Sequence, residues 1–455
     1  MFLYDIAVFI FRRDLRLVDN TALNAALRSA KQVIACFIFD DNQINPHPYQ
    51  SKPALHFMLQ SLADLSQQFQ GVNVNLTFLK GVPAKVIADL HKKHAIQGVF
   101  INRDYTPYSQ TRDAEIASVC EQLNISLHIE ADALLNEPEQ ALKKDGSAYK
   151  VFTAFYNNAQ QIPVPLPQSV GKAAFLKVAS TTNLEAYAAL NSFQTTVVQG
   201  GRSAALKQLE VFGNSGNYTE TRDYPALQST SLLSAHLKFG TVSVREVFYA
   251  ITQHLGSEHP VLRQLYWRDF FTHIAYHFPK VFGHAFRDKY DKLDWGNNDD
   301  YFQAWTEGKT GFPIVDAGMR QLNATGSMHN RVRLIVASFL VKDLHINWQW
   351  GERYFAQHLV DYDPCVNNGN WQWAASTGCD AQPYFRIFNP WLQQQKFDAH
   401  CDYIYEWLPE LRDVPVKIIH NWQKKHYGDF YPMPIVDHSR EVKISKARFK
   451  SVQQP

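Results

Sequence analysis

Short apolar runs alternate with amphipathic stretches over the first 130 residues of the chain. The apolar runs are IAVFIF (6–11), VIACFIF (33–39), NLTFLK (75–80), GVFINR (98–103) and ISLHIE (125–130). Their length and their content of Val, Ile and Phe predict β-strands, and the spacing of apolar residues in 53–69 and 84–94 predicts helices between them. Strands and helices that alternate in this way form a parallel sheet with helices on both faces. The pattern therefore predicts a doubly wound, Rossmann-like α/β domain.

Helical periodicity dominates from residue 202 to the end of the chain. Helix candidates are 231–251, 259–278, 313–326 and 331–344, and several of them end at Gly or stop before Pro. The stretch before them combines IPVPLP with Ser, Thr, Ala and Gln in no regular order, which is typical of a connecting segment. A chain of 455 residues is also too long for one compact core. We therefore expect an α/β domain at 1–132, an interdomain connector at 133–201 and an all-α domain at 202–455.

Composition excludes several classes of protein. Hydrophobic residues make up 45% of the chain and charged residues 19%, which is typical of a globular protein. The five cysteines include no C-x-x-C pair, which argues against a disulfide framework, a zinc site and an iron–sulfur cluster, so we expect no metal. The opening MFLYDIAVFIF carries Asp5 and lacks a basic leader, so it indicates a strand and not a signal peptide. Since no apolar run is long enough to cross a bilayer, we expect a cytoplasmic protein with no membrane partner.

Trp371 and Trp373 lie in an unusual segment of amides, glycines and small residues, NWQWAASTG at 370–378. If the segment is helical, residues two apart point about 200° away from each other. One indole would then face the interior and the other would face whatever lies across the helix. The small residues keep the wall thin, so a flat molecule could approach the backbone closely. Two tryptophans on a helix are more often core residues than part of a binding site. The polar residues found elsewhere in the chain decide between these two interpretations.

Other polar clusters have both a structural and a functional interpretation. Hydroxyl side chains at Thr230, Ser231 and Ser234 open a helix candidate, where they could cap free N–H groups or bind a phosphate. Gln264 precedes Trp267 by about one helical turn, so the pair could stack on a base and bond its edge. Such stacking is worth about 1–3 kcal/mol per base. The sequence contains neither a phosphate-binding Gly-rich loop nor a dinucleotide Gly fingerprint.

Long motifs resemble the photolyase/cryptochrome family over nearly the whole chain. They are FIFRRDLRLVDNTAL (9–23), TSLLSAHLKFGTVS (230–243), WRDFF (267–271), EGKTGFPIVDAGMRQL (307–322), MHNR (328–331) and NWQWAASTGCDAQPYFRIFNP (370–390). Within the family, the chain looks most like the class I DNA photolyases that act on cyclobutane pyrimidine dimers (CPDs).

The resemblance implies a light-driven repair enzyme, a deoxyribodipyrimidine photo-lyase that breaks carbon–carbon bonds. Such enzymes hold FAD in the helical domain, and the reduced cofactor is active. Blue or near-UV light excites it, an electron passes to a dimer flipped out of duplex or single-stranded DNA, and the dimer splits into two pyrimidines. The expected partner is UV-damaged DNA, and we expect the protein to act as a monomer.

The resemblance also implies roles for particular residues. Residues expected to hold FAD are Tyr218, Thr230, Ser231, Leu232, Leu233, Ser234, Arg333, Asp361, Asp363 and Asn367, and the last would lie next to flavin N5. Residues expected to carry electrons from the surface are Trp295, Trp348 and Trp371, with Asn367 counted among the catalytic groups. Residues expected to contact the DNA lesion are Gln264, Trp267, Asn330, Arg331 and Trp373.

Two positions depart from the dimer photolyase pattern. Leu232 stands where the family usually has Arg, and Gln264 stands where it usually has Glu. Gln at this place resembles enzymes for (6-4) photoproducts, but those carry His where this chain has Asn330 and Leu334. Dimer repair is therefore the main hypothesis. A cryptochrome-type blue-light photoreceptor is the alternative and (6-4) repair a further one, whereas a thermal flavin oxidoreductase would need a nicotinamide site that the sequence does not show.

The α/β domain of this family holds an antenna pigment. The glutamate of the folate-type pattern is missing near Tyr108 and Ser109, whereas Asp104 and Lys238 match positions used by members that bind 8-hydroxy-5-deazaflavin. Cys36 and Phe37, at a strand end, could line the same crevice. The resemblance thus favours the deazaflavin over a folate.

Overall fold

The computed structural model describes residues 2–71, 73–171, 174–191, 193, 197–213, 217–227 and 229–452. These residues form two compact units that alternate along the chain. Unit 1 comprises the described residues of Met1–Gly216, Ser231–His277 and Val360–Cys365, and unit 2 those of Asn217–Thr230, Phe278–Leu359 and Val366–Pro455. Each unit is described by itself.

A five-stranded parallel sheet forms the centre of unit 1. Its strands are β1 (Tyr4–Phe11), β2 (Ala30–Phe39), β3 (Thr77–Lys80), β4 (Gly98–Asn102) and β5 (Ser126–Glu130). Their order across the sheet is β3-β2-β1-β4-β5, and Val8 of β1 pairs with Ile34 of β2 and with Val99 of β4. The five strands predicted from the apolar runs are confirmed, and so is the α/β plus helical fold class.

Helices account for most of the remaining structure. The α-helices are α1 (Thr21–Ser29), α2 (Asp41–Ile44), α3 (Lys52–Gln70), α4 (Pro83–His94), α5 (Pro107–Gln122), α6 (Phe152–Ala159), α7 (Arg202–Gly213), α8 (Tyr218–Thr221), α9 (Ser234–Phe239), α10 (Val244–Leu255), α11 (Leu262–His277), α12 (Asp299–Glu307), α13 (Pro313–Thr325), α14 (Asn330–Ser338), α15 (Trp348–His358), α16 (Pro364–Ala375), α17 (Pro390–Phe397), α18 (Asp402–Trp407), α19 (Val416–Ile419) and α20 (His438–Ser451). Short 3-10 helices lie at Glu185–Asn191, Pro279–Val281, Asp288–Lys292, Pro409–Leu411 and Trp422–Lys424, and a π-helical turn at Phe339–Asp343. In the described ranges, no helix is both long and apolar enough to span a bilayer.

The central strands β1, β2 and β4 are largely buried on both faces, as parallel strands are when helices cover each side. In β1, Phe9 and Phe11 belong to one apolar core, whereas Val8 and Ile10 belong to the core on the opposite face. Successive side chains of a strand point to opposite faces, so an uninterrupted apolar run fills both cores. This is why the strands could be predicted from continuous apolar runs.

The end of β1 is held close to the end of α9 within unit 1. The N–H of Leu15 donates to the carbonyl of Phe239 at 3.0 Å. Gly240 follows α9 with φ of +62°, and a Cβ atom there would lie 2.3 Å from the carbonyl oxygen of Arg13. Glycine is therefore required at position 240 both by the left-handed backbone and by the close approach of the chain after β1.

Helix α6 lies in the segment predicted to be an irregular connector. It buries Phe152 and Phe155, each 1% exposed, and packs against α11 of the same unit. Val151 precedes it without a side-chain hydrogen bond to the helix start, so the usual capping signal is absent. The helix is thus stabilised by tertiary packing, which sequence periodicity over eight residues does not reveal.

Candidate functional site

Asn367 on α16 is oriented by Glu352 in unit 2. Its Nδ2 donates to the backbone oxygen of Glu352 at 3.0 Å and to Oε1 of the same residue at 3.2 Å. Both residues are buried, at 8% and 6% exposure. Since the amide nitrogen is directed at Glu352, the amide oxygen points away from it and can accept a hydrogen bond from a ligand. Glu352 was not predicted from the sequence.

The two tryptophans of α16 differ in burial, and the segment is helical as expected. Trp371 is 2% exposed and packs edge-to-face on Phe355, with ring centroids 4.9 Å apart. A Cβ atom at Gly351 would lie 2.2 Å from the Trp371 ring, so α15 approaches the indole directly. Trp373 is half-buried, which leaves part of its ring accessible within unit 2.

Polar groups of unit 2 fix the end of α16. Gln372 Nε2 donates to the carbonyl of Val281 at 3.1 Å and to that of His284 at 3.0 Å. Lys342 Nζ donates to the carbonyl of Ala375 at 3.2 Å, at the last residue of the helix. Burial holds the pKa of Lys342 well below its usual range. The helix that carries Asn367 and both indoles is therefore anchored by hydrogen bonds and not by apolar contact alone.

The other two predicted electron carriers also lie in unit 2. Trp348 is the first residue of α15 and is 4% exposed, whereas Trp295 is half-buried and contacts Phe449, with centroids 6.3 Å apart. The described residues show no direct ring contact among Trp295, Trp348 and Trp371. Trp305, fully buried, lies edge-to-face on Trp371 at 6.3 Å and was not singled out from the sequence.

Arg331 is held in place by an acid and an aromatic ring of unit 2. One guanidinium nitrogen lies 2.8 Å from Oδ1 of Asp223, and its carbon lies 4.4 Å from the centroid of Phe397. Asn330, the neighbouring residue expected at the lesion, is exposed at the start of α14. His329 caps this helix, because its Nδ1 accepts the N–H of Arg331 at 3.2 Å. Burial lowers the pKa of His329 to about 4, which keeps the acceptor nitrogen free of a proton.

The predicted charge cluster of Arg333, Asp361 and Asp363 is divided between the units. Arg333 lies in unit 2, where its Nε donates to the carbonyl of Met328 at 2.8 Å. Asp361 and Asp363 lie in unit 1. Asp363 forms an ion pair with Arg13 and accepts the N–H of Cys365 at 3.0 Å, so it caps the start of α16 just before Pro364.

The hydroxyl segment before α9 has an unusual backbone. Leu232 has φ of +51°, in the left-handed region, and Leu233 follows with φ of −88° and ψ of −4°. Left-handed and right-handed residues in succession turn consecutive N–H groups toward one side, where they can bind an anion. Ser231 is half-buried and Ser234 exposed. The segment therefore suits a phosphate even though it lacks the arginine usual at position 232.

The remaining residues expected to hold FAD lie in unit 2. Tyr218 is 7% exposed, and the guanidinium carbon of Arg222 lies 5.3 Å from its ring centroid. Thr230 is half-buried at the end of the same segment. The set of residues predicted for one cofactor is thus distributed over both units.

Two of the residues expected at the lesion lie on α11 in unit 1. Trp267 is half-buried and stacks on Phe152, with centroids 3.6 Å apart and the planes at 8°. Gln264 is half-buried one turn earlier on the helix. An aromatic ring beside an amide remains a suitable surface for a base. Phe152 was missed because it lies in the predicted connector.

A charged crevice in unit 1 is lined by one of the four predicted antenna residues, Asp104, and a second, Lys238, interacts electrostatically with its charged groups. The crevice lies at the carboxyl ends of β1 and β4, which is the topological switch point of the sheet. Its lining includes Arg13, Asp104 and Asp363. Burial opposes ionisation of Asp104, but Arg13 and other nearby arginines outweigh it and hold the pKa of Asp104 below its usual range. Burial, together with Arg13, lowers the pKa of Lys238 to about 7. Asp104 and Lys238 thus belong to one cluster of charges.

Cys36 and Phe37 take no part in this cluster of charges. Cys36 is fully buried in the core on one face of β2, and Phe37, 7% exposed, lies in the core on the other face. Burial raises the pKa of the Cys36 thiol to about 12. The structure therefore does not bring these two side chains together on one face of the sheet.

Comparison with known proteins identifies the family to which this chain belongs. A family described as DNA photolyase matches residues 7–170, and one described as the FAD binding domain of DNA photolyase matches residues 261–451. A deoxyribodipyrimidine photo-lyase of Escherichia coli is 38% identical, with 95% of this chain and 96% of that protein covered. The chain therefore belongs to the DNA photolyase family.

Solved structures agree over nearly the full length. An archaeal photolyase from Sulfolobus tokodaii, solved with two FAD molecules and said to imply a novel light-harvesting cofactor, is 43% identical with a TM-score of 0.91, covering 98% of this chain and 100% of that one. A cryptochrome of Synechocystis is 27% identical with a TM-score of 0.89, covering 98% and 99%. The predicted family, the photo-lyase enzyme class and the presence of an FAD-binding domain are confirmed.

Proposed function

We propose that the protein splits cyclobutane pyrimidine dimers in UV-damaged DNA under blue or near-UV light, as a monomer and with FAD in its reduced form. The observation that carries the proposal is the orientation of Asn367 by Glu352, within a chain that belongs to the DNA photolyase family. An amide oxygen held in this way accepts a hydrogen bond without adding a charge, which suits a reduced flavin ring.

The residues present suit FAD at both of its ends. The backbone at Leu232 and Leu233, with the hydroxyl of Ser231, offers N–H and O–H donors to phosphate groups. Asn367 offers an acceptor to an N–H of the flavin ring. Tyr218, Thr230, Ser234, Arg333, Asp361 and Asp363 complete the proposed binding set. When bound, FAD supplies the light-excited electron donor for dimer splitting.

The tryptophans have two proposed roles. Trp371, Trp348 and Trp295 carry electrons from the surface toward the interior, and the packing of Trp371 against Phe355 and Gly351 keeps its ring fixed. Trp267 and Trp373, both half-buried, form the walls that receive an extruded dimer. Aromatic walls suit this task because base stacking on them is worth about 1–3 kcal/mol per base.

Lesion recognition is assigned to three polar side chains. Gln264 hydrogen-bonds the base edges, and Asn330 and Arg331 contact the extruded nucleotide. Extruding a base costs a few kcal/mol and costs least where damage has already weakened pairing, which supplies part of the selectivity. In the structure Arg331 is paired with Asp223, so DNA has to compete with that carboxylate for the guanidinium.

For the antenna we propose the crevice that Asp104 lines, whose charged groups interact with Lys238. Its position at the carboxyl ends of diverging strands is where open α/β sheets bind ligands. The resemblance favours 8-hydroxy-5-deazaflavin, whereas the Sulfolobus photolyase contains a second FAD. Extraction of the bound chromophores from purified protein, followed by mass spectrometry, distinguishes the two.

A repair assay tests the proposed function directly. Protein purified with its chromophores and chemically reduced is mixed with oligonucleotides that carry one thymine dimer, one (6-4) photoproduct or no damage, in blue light and in darkness. We expect loss of the dimer in light alone. A protein that binds FAD but leaves dimers intact in light contradicts the proposal. Repair of the (6-4) substrate would then favour the (6-4) enzyme. No repair of either lesion, with light-driven reduction of a separate sample of oxidised protein, would favour a photoreceptor.

A further inference from the structure

Phe152 closes one face of the Trp267 indole. The two rings lie nearly parallel at 8° with centroids 3.6 Å apart, which is full van der Waals contact between their faces. Phe152 is 1% exposed and Trp267 is half-buried. No base can enter between the rings without separating them. A ligand of Trp267 therefore has only the opposite face or the edge of the indole to bind.

The guanidinium of Arg263 lies over the rings of Phe152 and Tyr156. Its guanidinium carbon lies 5.1 Å from the centroid of Phe152 and 4.9 Å from that of Tyr156. The rings of Phe152 and Tyr156 are themselves stacked at 5.8 Å and 18°. Contact with ring faces holds a guanidinium in place without using its N–H donors. The side chain of Arg263 is otherwise exposed, unlike the buried Phe152.

The charge of Arg263 is available to a ligand. Among the residues that the structure describes, Arg263 forms no ion pair, whereas Arg268 on the same helix lies 3.7 Å from a carboxylate oxygen of Asp269. A planar guanidinium with five N–H donors binds phosphate in a fork geometry. Arg263 directly precedes Gln264 in the sequence and lies about one turn before Trp267.

We propose that Arg263 contacts a DNA backbone phosphate beside the extruded dimer, and that Phe152 is a positioning residue which holds the indole face of Trp267 toward the lesion. The inference rests on the proposed function, because it takes Trp267 as a wall of the lesion pocket. Phosphate contacts fix the register of a protein on DNA without reading sequence. One helix, α11, would then supply the phosphate contact as well as the lesion contacts of Gln264 and Trp267, and α6 packs against it.

The phosphate contact is tested with Arg263→Gln. Affinities for undamaged and dimer-containing oligonucleotides are measured over a range of salt concentrations in the dark. We expect the slope of log Kobs against log salt to fall by about one, with both affinities lowered by the same factor. Arg28→Gln, at an exposed arginine in the last turn of α1, is the matched control and is expected to keep the wild-type slope. An unchanged slope for Arg263→Gln, or a loss confined to damaged DNA, overturns the phosphate assignment.

The positioning role is tested by comparing Phe152→Leu with Phe155→Leu. Both residues are 1% exposed on α6, but Phe155 packs on Phe270 and His273 and not on Trp267. The two leucine variants are expected to lower the free energy of unfolding by similar amounts. Only Phe152→Leu should lower the ratio of affinities for damaged and undamaged DNA, by about tenfold, which corresponds to about 1.4 kcal/mol of stacking. Phe152→Tyr, which keeps the ring, should restore the ratio.

The outcomes separate this inference from the proposed function. Equal ratios for the two leucine variants, while the wild-type protein repairs dimers in light, contradict the positioning role of Phe152 alone. A wild-type protein that repairs no dimers contradicts the proposed function, whatever the variants do.

Discussion

Gln264 carries no charge at a place where related dimer photolyases usually have a glutamic acid. A carboxyl group can donate a proton or hold a charge near the reacting bases, and an amide can do neither. We expect Gln264→Glu to raise the quantum yield of dimer splitting by up to about tenfold, which is less than the roughly 100-fold or more that a positioned acid contributes when it transfers a proton in the rate-limiting step. The quantum yield is measured on bound dimer under limiting light, so that a change in affinity for DNA does not affect it.

The matched control for this change is Gln122→Glu, which adds the same charge at the exposed end of α5. It should leave the yield unchanged. A lower yield in Gln264→Glu would show that an uncharged amide is the better partner for the dimer at this position.

Glu352 is the residue through which the orientation of Asn367 can be tested. Glu352→Leu removes one of the two acceptors of the Asn367 amide nitrogen and leaves the backbone oxygen. We expect bound reduced FAD to be reoxidised in air about fivefold faster, the factor that corresponds to a hydrogen bond of about 1 kcal/mol. Glu352→Gln keeps an acceptor oxygen and should behave like the wild type. Equal rates in all three proteins would mean that Glu352 does not act through Asn367.

Sequence motifs predicted individual site residues, but they did not predict which side chains those residues contact. Asn367 could be predicted because it lies in a recognisable segment, whereas Glu352 lies on another helix and 15 residues earlier. Phe152 and Trp267 are farther apart still, and their stacking depends on how α6 packs against α11. Side-chain partners that meet only through tertiary packing leave no local signal in the sequence.

At the scale of the helix, the start of α14 depends on an uncharged His329. Burial lowers the pKa of His329 to about 4, below the value of about 6.5 in an unfolded chain. The unfolded chain therefore binds more protons between these values. The contribution of His329 to the free energy of unfolding is complete above about pH 6.5 and is lost as the pH falls toward 4, by up to about 3 kcal/mol.

We accordingly expect His329→Asn, which keeps a capping side chain that does not titrate, to flatten the loss of stability between pH 6.5 and pH 4. Chemical denaturation at a series of pH values measures the effect. His400→Asn, at an exposed histidine, is the control. A variant whose stability still falls as steeply as that of the wild type would show that His329 does not cause the acid sensitivity.

Whether a helix or strand could be predicted depended on how much of its stability is local. The central strands β1, β2 and β4 were found because both of their faces are buried and each is a largely apolar run, whereas β5, at the edge of the sheet, buries none of its five residues. Helix α6 was missed because it is short, lacks a side-chain cap at its start and buries only one side. The π-helical turn at Phe339–Asp343 lies inside a stretch predicted as one regular helix, and apolar spacing does not distinguish the two.

On the scale of the whole molecule, the antenna crevice should be separable from the FAD site. We expect Asp104→Asn combined with Lys238→Met to reduce antenna content at least about tenfold, since two ionisable groups of the cluster are removed, while FAD content is unchanged. Chromophore-to-protein ratios and the action spectrum of repair measure the effect. Arg202→Gln, which removes a charge paired with Glu246 at a residue that does not line the crevice, is the control.

An unchanged antenna content in the double variant would contradict the assignment of the crevice. A loss of FAD together with the antenna would show that the charge cluster also supports the cofactor in the helical part of the chain.

The alternation of the two units along the chain could not be predicted from the sequence. Apolar periodicity and composition change along the chain, whereas a compact unit is defined by contacts between distant segments. Unit 1 includes Val360–Cys365, which brings Asp363 to Arg13 at the end of β1. At least 359 residues must therefore be translated before the last piece of this unit is made. The strands made early therefore lack part of their unit until a segment that follows five of the ten tryptophans has been translated, and a nascent polypeptide interrupted before Cys365 would expose them to chaperones and proteases.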